Sequence, residues 1–238
     1  MRKDGVYVKP HQTKTQKEAP EATKPASHYH AQPNEQGKRV KVQKPTLASA
    51  PSTWNNAEAI ATFTPQGDHP RRIGKVPFTG WTAQPKTKAG WNYVPGINWH
   101  LDEKPLVVAP GKHPGAGVII EEDDGRVWLV TPTNSYGGYR NTFPKGTCEE
   151  GLSYQANAIK EAWEEAGLHV EITGILGDFE RTTSTARMYT ARRLGGNPVD
   201  MGWESQAVRL VPKNRLLELL NMEPDQDVLK AWLTRKKD

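Results

Sequence analysis

Apolar and polar positions alternate in three distinct textures along the chain. Residues 1–75 show almost no apolar periodicity, and Thr, Pro, Gln, Lys and Ala dominate them. Only the stretch from Trp54 to Phe63 reads as a short helix there. Such a segment buries too little apolar surface to offset its ordering entropy, which predicts a disordered tail. Residues 76–112 are irregular. They hold Gly80-Trp81, Gly90-Trp91 and Trp99 among Pro77, Pro85, Pro95, Pro105 and Pro110, and this proline spacing rules out a long helix. Disordered chains are poor in aromatics, so the tryptophans predict an extended lead-in packed on a folded domain.

From residue 113 onward the pattern becomes that of a domain. Ala116 to Glu121 is rich in Val and Ile, Asp123-Asp124-Gly125 suits a hairpin turn, and Arg126 to Thr131 reads as the returning strand. Residues 132–142 form a Gly/Tyr-rich loop. Ser153 can cap a helix over Tyr154 to Ala166, and Gly167 can end it in the left-handed conformation. Short strands follow at His169–Thr173, Ile175–Arg181, Arg187–Arg193 and Ala207–Val211, then helices near Lys213–Asn221 and Asp225–Arg235. This order predicts an α/β fold with a mixed sheet and helices on its faces.

Charge sharpens the division. Residues 1–75 carry 13 Lys and Arg against 6 Asp and Glu, a net of +7, so the overall +5 belongs to the tail. A basic tail offers weak nucleic-acid contact through counterion release, and its alternative is a solubilising linker, because Pro and Thr dilute its charges. No apolar run approaches the roughly 18 residues of a membrane span, and Met1 to Pro10 lacks the apolar centre of a signal peptide. The single cysteine, Cys148, excludes an intrachain disulfide and fits a reducing cytoplasm.

The chemistry concentrates in Phe143 to Ser153 and Ala158 to Leu168. Glu161 and Glu165 share one helical face, with Glu164 beside them. Ala158, Ala162 and Ala166, spaced by four, mark a face that can approach a sheet closely. Like charges at this spacing repel, so the acidic face calls for a positive partner, and carboxylate oxygens suit Mg²⁺ or Mn²⁺. Gly146 and Gly151 lie in the loop entering the helix, where backbone N–H groups and the helix dipole receive anionic oxygens. Lys145 adjoins that loop. Arg181, Arg187, Arg192 and Arg193 either grip phosphate or are ordinary exposed strand charges, and Tyr136, Tyr139 and Arg140 in the Gly-rich loop either stack on a base or ring or pack on the surface. His28 and His30 lack partners in sequence, and Cys148 lacks a nearby His for a nucleophilic role.

The segment resembles the Nudix box. With its first Gly at Gly146, six of nine fixed positions match: Gly146, Glu161, Glu164, Glu165, Gly167 and Leu168. Leu152 stands for the first Glu, Lys160 for Arg and Ala162 for a bulky aliphatic. The flanking Phe-Pro-Lys-Gly is similar to the subgroup acting on diphosphoinositol polyphosphates and dinucleoside polyphosphates. The resemblance implies a Nudix α/β/α sandwich over residues 113–238 and divalent-metal-dependent hydrolysis of a phosphoanhydride. The substrate would be a nucleoside diphosphate linked to another group (ADP-ribose-like), a dinucleoside polyphosphate or a diphosphoinositol phosphate. It further implies Glu161, Glu164 and Glu165 as metal ligands, and Glu164 or Glu165 as general base, with Glu204 a second candidate. Lys145, Gly146, Lys160, Arg140, Arg181 and Arg187 would contact substrate. Glu149 or Glu150 could replace the carboxylate lost at Leu152, and Trp163 the bulk lost at Ala162. The alternative is a weak or inactive Nudix module that binds a nucleotide or partner.

Overall fold

The computed structural model describes residues 28–235. The main sheet has seven strands. In chain order, β1 (His28–Tyr29) and β2 (Lys41–Val42) form a small ribbon, and β3 (Ala61–Phe63) joins the main sheet. β4 (Arg72–Ile73) and β5 (Val76–Pro77) form a second ribbon, followed by the one-turn helix α1 (Lys88–Trp91). The domain proper continues with β6 (His113–Glu121), β7 (Val127–Pro132), β8 (Lys145–Thr147), α2 (Tyr154–Ala166), β9 (Leu168–Glu180), β10 (Ser184–Gly196), β11 (Ser205–Val211), α3 (Leu216–Leu219) and α4 (Glu223–Thr234). The sheet order is β3-β11-β7-β6-β10-β9, with β8 on β6. Only β6 and β10 run parallel, so the sheet is mixed.

Strand alternation divides the core into two layers. On β6, Val118 and Ile120 face α2, where Ala158, Ile159 and Ala162 pack. Ile119 faces the other way, toward Leu216, Val228 and Trp232 of α3 and α4. On β7, Trp128 and Val130 join the first layer, and Val127 and Leu129 the second. Period-two alternation on strands buried on both faces produces this sandwich. The alanine stripe lets α2 sit close to the sheet.

α2 begins and ends where its sequence indicates. The Ser153 side chain accepts from Ala156 N, and Gly167 closes the helix at φ 67°. The strands are longer than their sequence signals: the two candidates over 169–181 form the single strand β9, irregular in register opposite β10. The helix signalled near 213–221 divides into a 3₁₀ turn, Lys213–Arg215, and α3.

The N-terminal boundary needs correction. Residues 28–75 are part of the fold, and the charged stretch before them lies outside the described residues. No helix spans Trp54 to Phe63; a 3₁₀ turn at Pro51–Thr53 leads into β3, which pairs with β11. Trp54, Phe63 and Ile73 enter the core. Two buried arginines supply the polar reason. Arg126 donates to the carbonyls of Thr53, Trp54, Asn56 and Ala59, and Arg193 to those of Ile73, Val76 and Pro77. Arg126 and Arg193 are themselves neutralised by Asp124 and Glu122. Few apolar residues thus suffice, because backbone carbonyls that would otherwise be unpaired meet guanidinium donors. His30 belongs to this attachment through Nε2 and Ser205 O at 3.0 Å.

The lead-in is held by aromatic contacts. Trp91 meets Trp81 edge-on at 5.7 Å, and Trp81 meets Trp163 of α2 at 5.5 Å. Trp81 also stacks on His169 at 3.8 Å. Trp163, expected to replace the bulk missing at Ala162, spends its ring on the lead-in.

Candidate active site

The helix α2 presents Glu161, Glu164 and Glu165 beside β8 and its following loop. Gly146 lies so near the Glu161 carboxylate that a Cβ there would overlap all three carboxylate atoms. Glycine is therefore required by close approach, since the φ of Gly146 is ordinary. One residue earlier, the backbone N–H of Lys145 donates to Glu165 Oε2 at 2.8 Å. Strand pairing of Lys145–Thr147 with Gly115–Gly117 fixes both relationships.

The electrostatics follow from crowding. Desolvation, then repulsion from Glu165 and Glu164, pushes the Glu161 carboxyl well above the usual carboxylate range. Desolvation raises Glu165 to about 7, against the opposing charge and backbone hydrogen bond of Lys145. The Lys145 ammonium is lowered by burial despite the nearby Asp225 charge. It also lies 4.7 Å from the Tyr139 ring centroid. Glu204, on the loop before β11, is raised by desolvation and then by Glu164 and Glu35. It therefore shares the electrostatic neighbourhood of the helix carboxylates.

Lys160 joins two elements. Its Nζ donates to Glu164 at 2.6 Å and pairs with Glu149 at 2.8 Å. Burial would lower its pKa, but the hydrogen bonds to Glu149 and Glu164 prevail and raise it. Of the two loop glutamates named as substitutes for Leu152, Glu149 is the one tied to this group, while Leu152 packs against the core. Glu150 contributes its carbonyl to Lys88.

The three arginines part ways. Arg140 is exposed on the pre-box loop, its backbone N–H held by Asn221. Arg181 is buried and pairs with the buried Asp225 at 2.7 Å, behind Lys145 rather than on an open surface. Arg187 does not join the carboxylates. Nε and NH2 bind both oxygens of Asp178 at 2.7 and 2.8 Å, and NH1 binds Lys104 O at 2.7 Å. A guanidinium satisfied this fully is a brace between β10, β9 and the lead-in, away from the carboxylates beside which substrate contact is expected. Cys148 is raised to about 12 by burial and then by Glu161, so it stays a thiol.

Among the described residues, no three His, Cys, Asp or Glu side chains form a closed metal cage. The donor chemistry nonetheless fits a hard divalent cation. All the donors are carboxylate oxygens, and burial first, then neighbouring like charge, raises Glu161 and Glu165 above the ordinary carboxylate range, which a bound cation would offset. Mg²⁺ is commonly held by one or two carboxylates together with substrate phosphate and water, and so needs no complete protein cage. Asn92 carries no signal in the sequence, because its partners Gly151 and Ser153 lie far along the chain.

A family model, the NUDIX domain, matches residues 111–233, and the chain belongs to that family. It is 33% identical over 76 residues to nucleoside diphosphate-linked moiety X motif 6 of Xenopus laevis, covering 28% of this chain and 34% of that protein. It is 36% identical over 66 residues to an RNA pyrophosphohydrolase of Caulobacter vibrioides, covering 27% and 38%. The chain thus spans about a third of the length of these curated relatives. A solved NUDIX hydrolase from Nitrosomonas europaea aligns with 51% of this chain and 88% of its own, at 15% identity and a TM-score of 0.44.

Proposed function

We propose that this protein hydrolyses a phosphoanhydride bond in a nucleoside diphosphate linked to another group, of the ADP-ribose type, using Mg²⁺ or Mn²⁺. Dinucleoside polyphosphates and diphosphoinositol phosphates share the same reacting group. The observation carrying this reading is the approach of Glu161 to Gly146 and of Glu165 to the Lys145 backbone, with Glu164 held beside them by Lys160. Family membership and relatives named for nucleoside diphosphate-linked moieties and RNA pyrophosphohydrolysis point the same way.

A divalent ion, when bound, supplies charge neutralisation of the diphosphate and acidification of water. Glu161, Glu164 and Glu165 would hold it. Glu165, with a pKa near 7, suits proton abstraction at neutral pH, and Glu164 and Glu204 are the other bases within the group. Lys145 and Lys160 bring positive charge beside the carboxylates, and Arg140, exposed on the pre-box loop, is the further candidate for substrate contact. A second reading, a module that binds nucleotide without turnover, draws on Leu152 in the core and on Lys160 engaging Glu149 and Glu164.

Phosphate release from ADP-ribose, diadenosine polyphosphates, 5′-triphosphorylated RNA and diphosphoinositol phosphates, with each metal, tests the proposal. Metal-dependent release supports the hydrolase. Tight nucleotide binding with no product under any condition replaces it with the binding module.

A further inference from the structure

The loop between β8 and α2 is clasped by the lead-in. Asn92 Nδ2 donates to Gly151 O at 2.7 Å, and its Oδ1 accepts from Ser153 N at 2.9 Å. Lys88 Nζ donates to Glu150 O at 2.7 Å. Further along, Asn98 and Gln155 exchange two hydrogen bonds, Asn98 N to Gln155 Oε1 and Gln155 Nε2 to Asn98 O. From the helix side, Asn157 Oδ1 accepts from Glu149 N at 2.9 Å, and its Nδ2 donates to Ser153 O at 2.9 Å. The backbone from Glu149 to Ser153 is therefore held by amide side chains from two directions.

The clasp is itself fixed. Asn92 follows α1, whose Trp91 is buried against Trp81, and Trp81 packs on Trp163, the neighbour of Glu164. The clasped loop ends at Glu149, whose carboxylate meets Lys160, which in turn holds Glu164. Leu152, half-buried against the core, cannot offer a carboxylate, so the loop's contribution to the acidic group is Glu149.

We propose that Asn92 is a positioning residue: by clasping Gly151 and Ser153 it sets the loop so that Glu149 joins the Glu161, Glu164 and Glu165 group through Lys160. The lead-in is then part of the active site and does more than cover the domain. This inference rests on the proposed hydrolase reading for its kinetic consequence. Its structural consequence, cation binding by a properly placed carboxylate group, is measurable without turnover.

The experiment uses the full chain and Mn²⁺ alone as the probe. Mn²⁺ affinity is measured by electron paramagnetic resonance for the wild type, Asn92→Ala, Glu149→Gln and the double variant. Hydrogen exchange of residues 149–153 is followed in parallel. Asn92→Ala should weaken Mn²⁺ binding by roughly tenfold, as loss of an outer-shell partner does. It should also speed exchange at Ser153 and leave the melting temperature within a few degrees. In the Glu149→Gln background the same substitution should have little further effect on Mn²⁺ affinity. Where turnover is present, kcat should fall more than KM rises. Unchanged Mn²⁺ affinity in Asn92→Ala, or an undiminished loss in the Glu149→Gln background, overturns the positioning role. Failure of the hydrolase reading shows itself separately, as absence of product from wild-type protein that still binds Mn²⁺.

Discussion

The backbone N–H of Lys145 holds the carboxylate of Glu165 at 2.8 Å, so one short strand orients both charges of an opposed pair. Its side chain brings the cation and its amide fixes the anion. The strand needs only three residues because its pairing with Gly115–Gly117 lets it lie flush against β6. A Cβ at Gly117 would strike the Lys145 side chain and the Pro144 carbonyl.

Glutamine at this position keeps the shape and the acceptor for Lys145 N but removes the base and the charge. Glu165→Gln and Glu161→Gln should each lower kcat by about 100-fold or more, the usual scale of general acid–base catalysis. Circular dichroism should show an intact fold. Full activity in both variants would remove the site assignment.

Stability should depend on pH in a particular direction. Glu161 and Glu165 have folded-state pKa values raised above the ordinary 4.5, Glu165 to about 7. Between pH 4.5 and 7 the folded protein therefore binds more protons than the unfolded chain, and stability falls as pH rises through that window. The metal-free melting temperature should drop from pH 5 to pH 8, and millimolar Mg²⁺ should flatten the profile. A metal-free profile rising with pH across this interval contradicts the crowding of the two carboxylates.

Arg187 should behave as a structural residue. Arg187→Met strands Asp178 and the Lys104 carbonyl. It should cost roughly 3 kcal/mol in urea unfolding, the low end for a broken buried pair because Asp178 keeps contact with water. KM for the preferred substrate should hold in the folded fraction. A large rise in KM without loss of stability would return Arg187 to the substrate.

The segment before β4 should matter to folding. Phe63 is fully buried between Trp54, Phe78 and Trp128. Phe63→Ala should cost about 3–5 kcal/mol by thermal or urea unfolding. Deleting residues 1–75 would strip this core, leave Arg126 without its four carbonyl acceptors and take the Ile73 carbonyl from Arg193. Contact with RNA is therefore better tested by neutralising Lys38, Arg39, Lys41 and Lys44 and following the salt dependence of binding.

What could be read from sequence was local. Ser153, the alanine stripe, Gly167 and the three glutamates lie within one helix and its two ends, and each carries its signal within a few residues. The alternating β6 and β7 were legible for the same reason. The place of residues 28–75 in the fold is not legible locally, because their attachment depends on Arg126 and Arg193, whose acceptors are backbone carbonyls more than sixty residues away and carry no side-chain signature. Arg187 was ambiguous because a strand arginine looks the same whether it faces phosphate or Asp178. Asn92 gave no signal at all, since an asparagine after a Gly-Trp pair reads as a turn residue.

The parallel pairing of β6 with β10 joins Ala116 to Arg187 and Glu121 to Arg192, with β7, β8, α2 and β9 all lying between them in the chain. Such remote pairing carries a large loop-closure entropy and high contact order, which slow folding. The acidic helix lies inside that excursion. A nascent or partly denatured chain can wind the helix early, and the approach of Glu161 and Glu165 to Gly146 and Lys145 waits on the pairing of β8 with β6. The acidic helix therefore meets its backbone partners through the nearer β6–β8 closure, while the far longer β6–β10 excursion is the slower step of refolding.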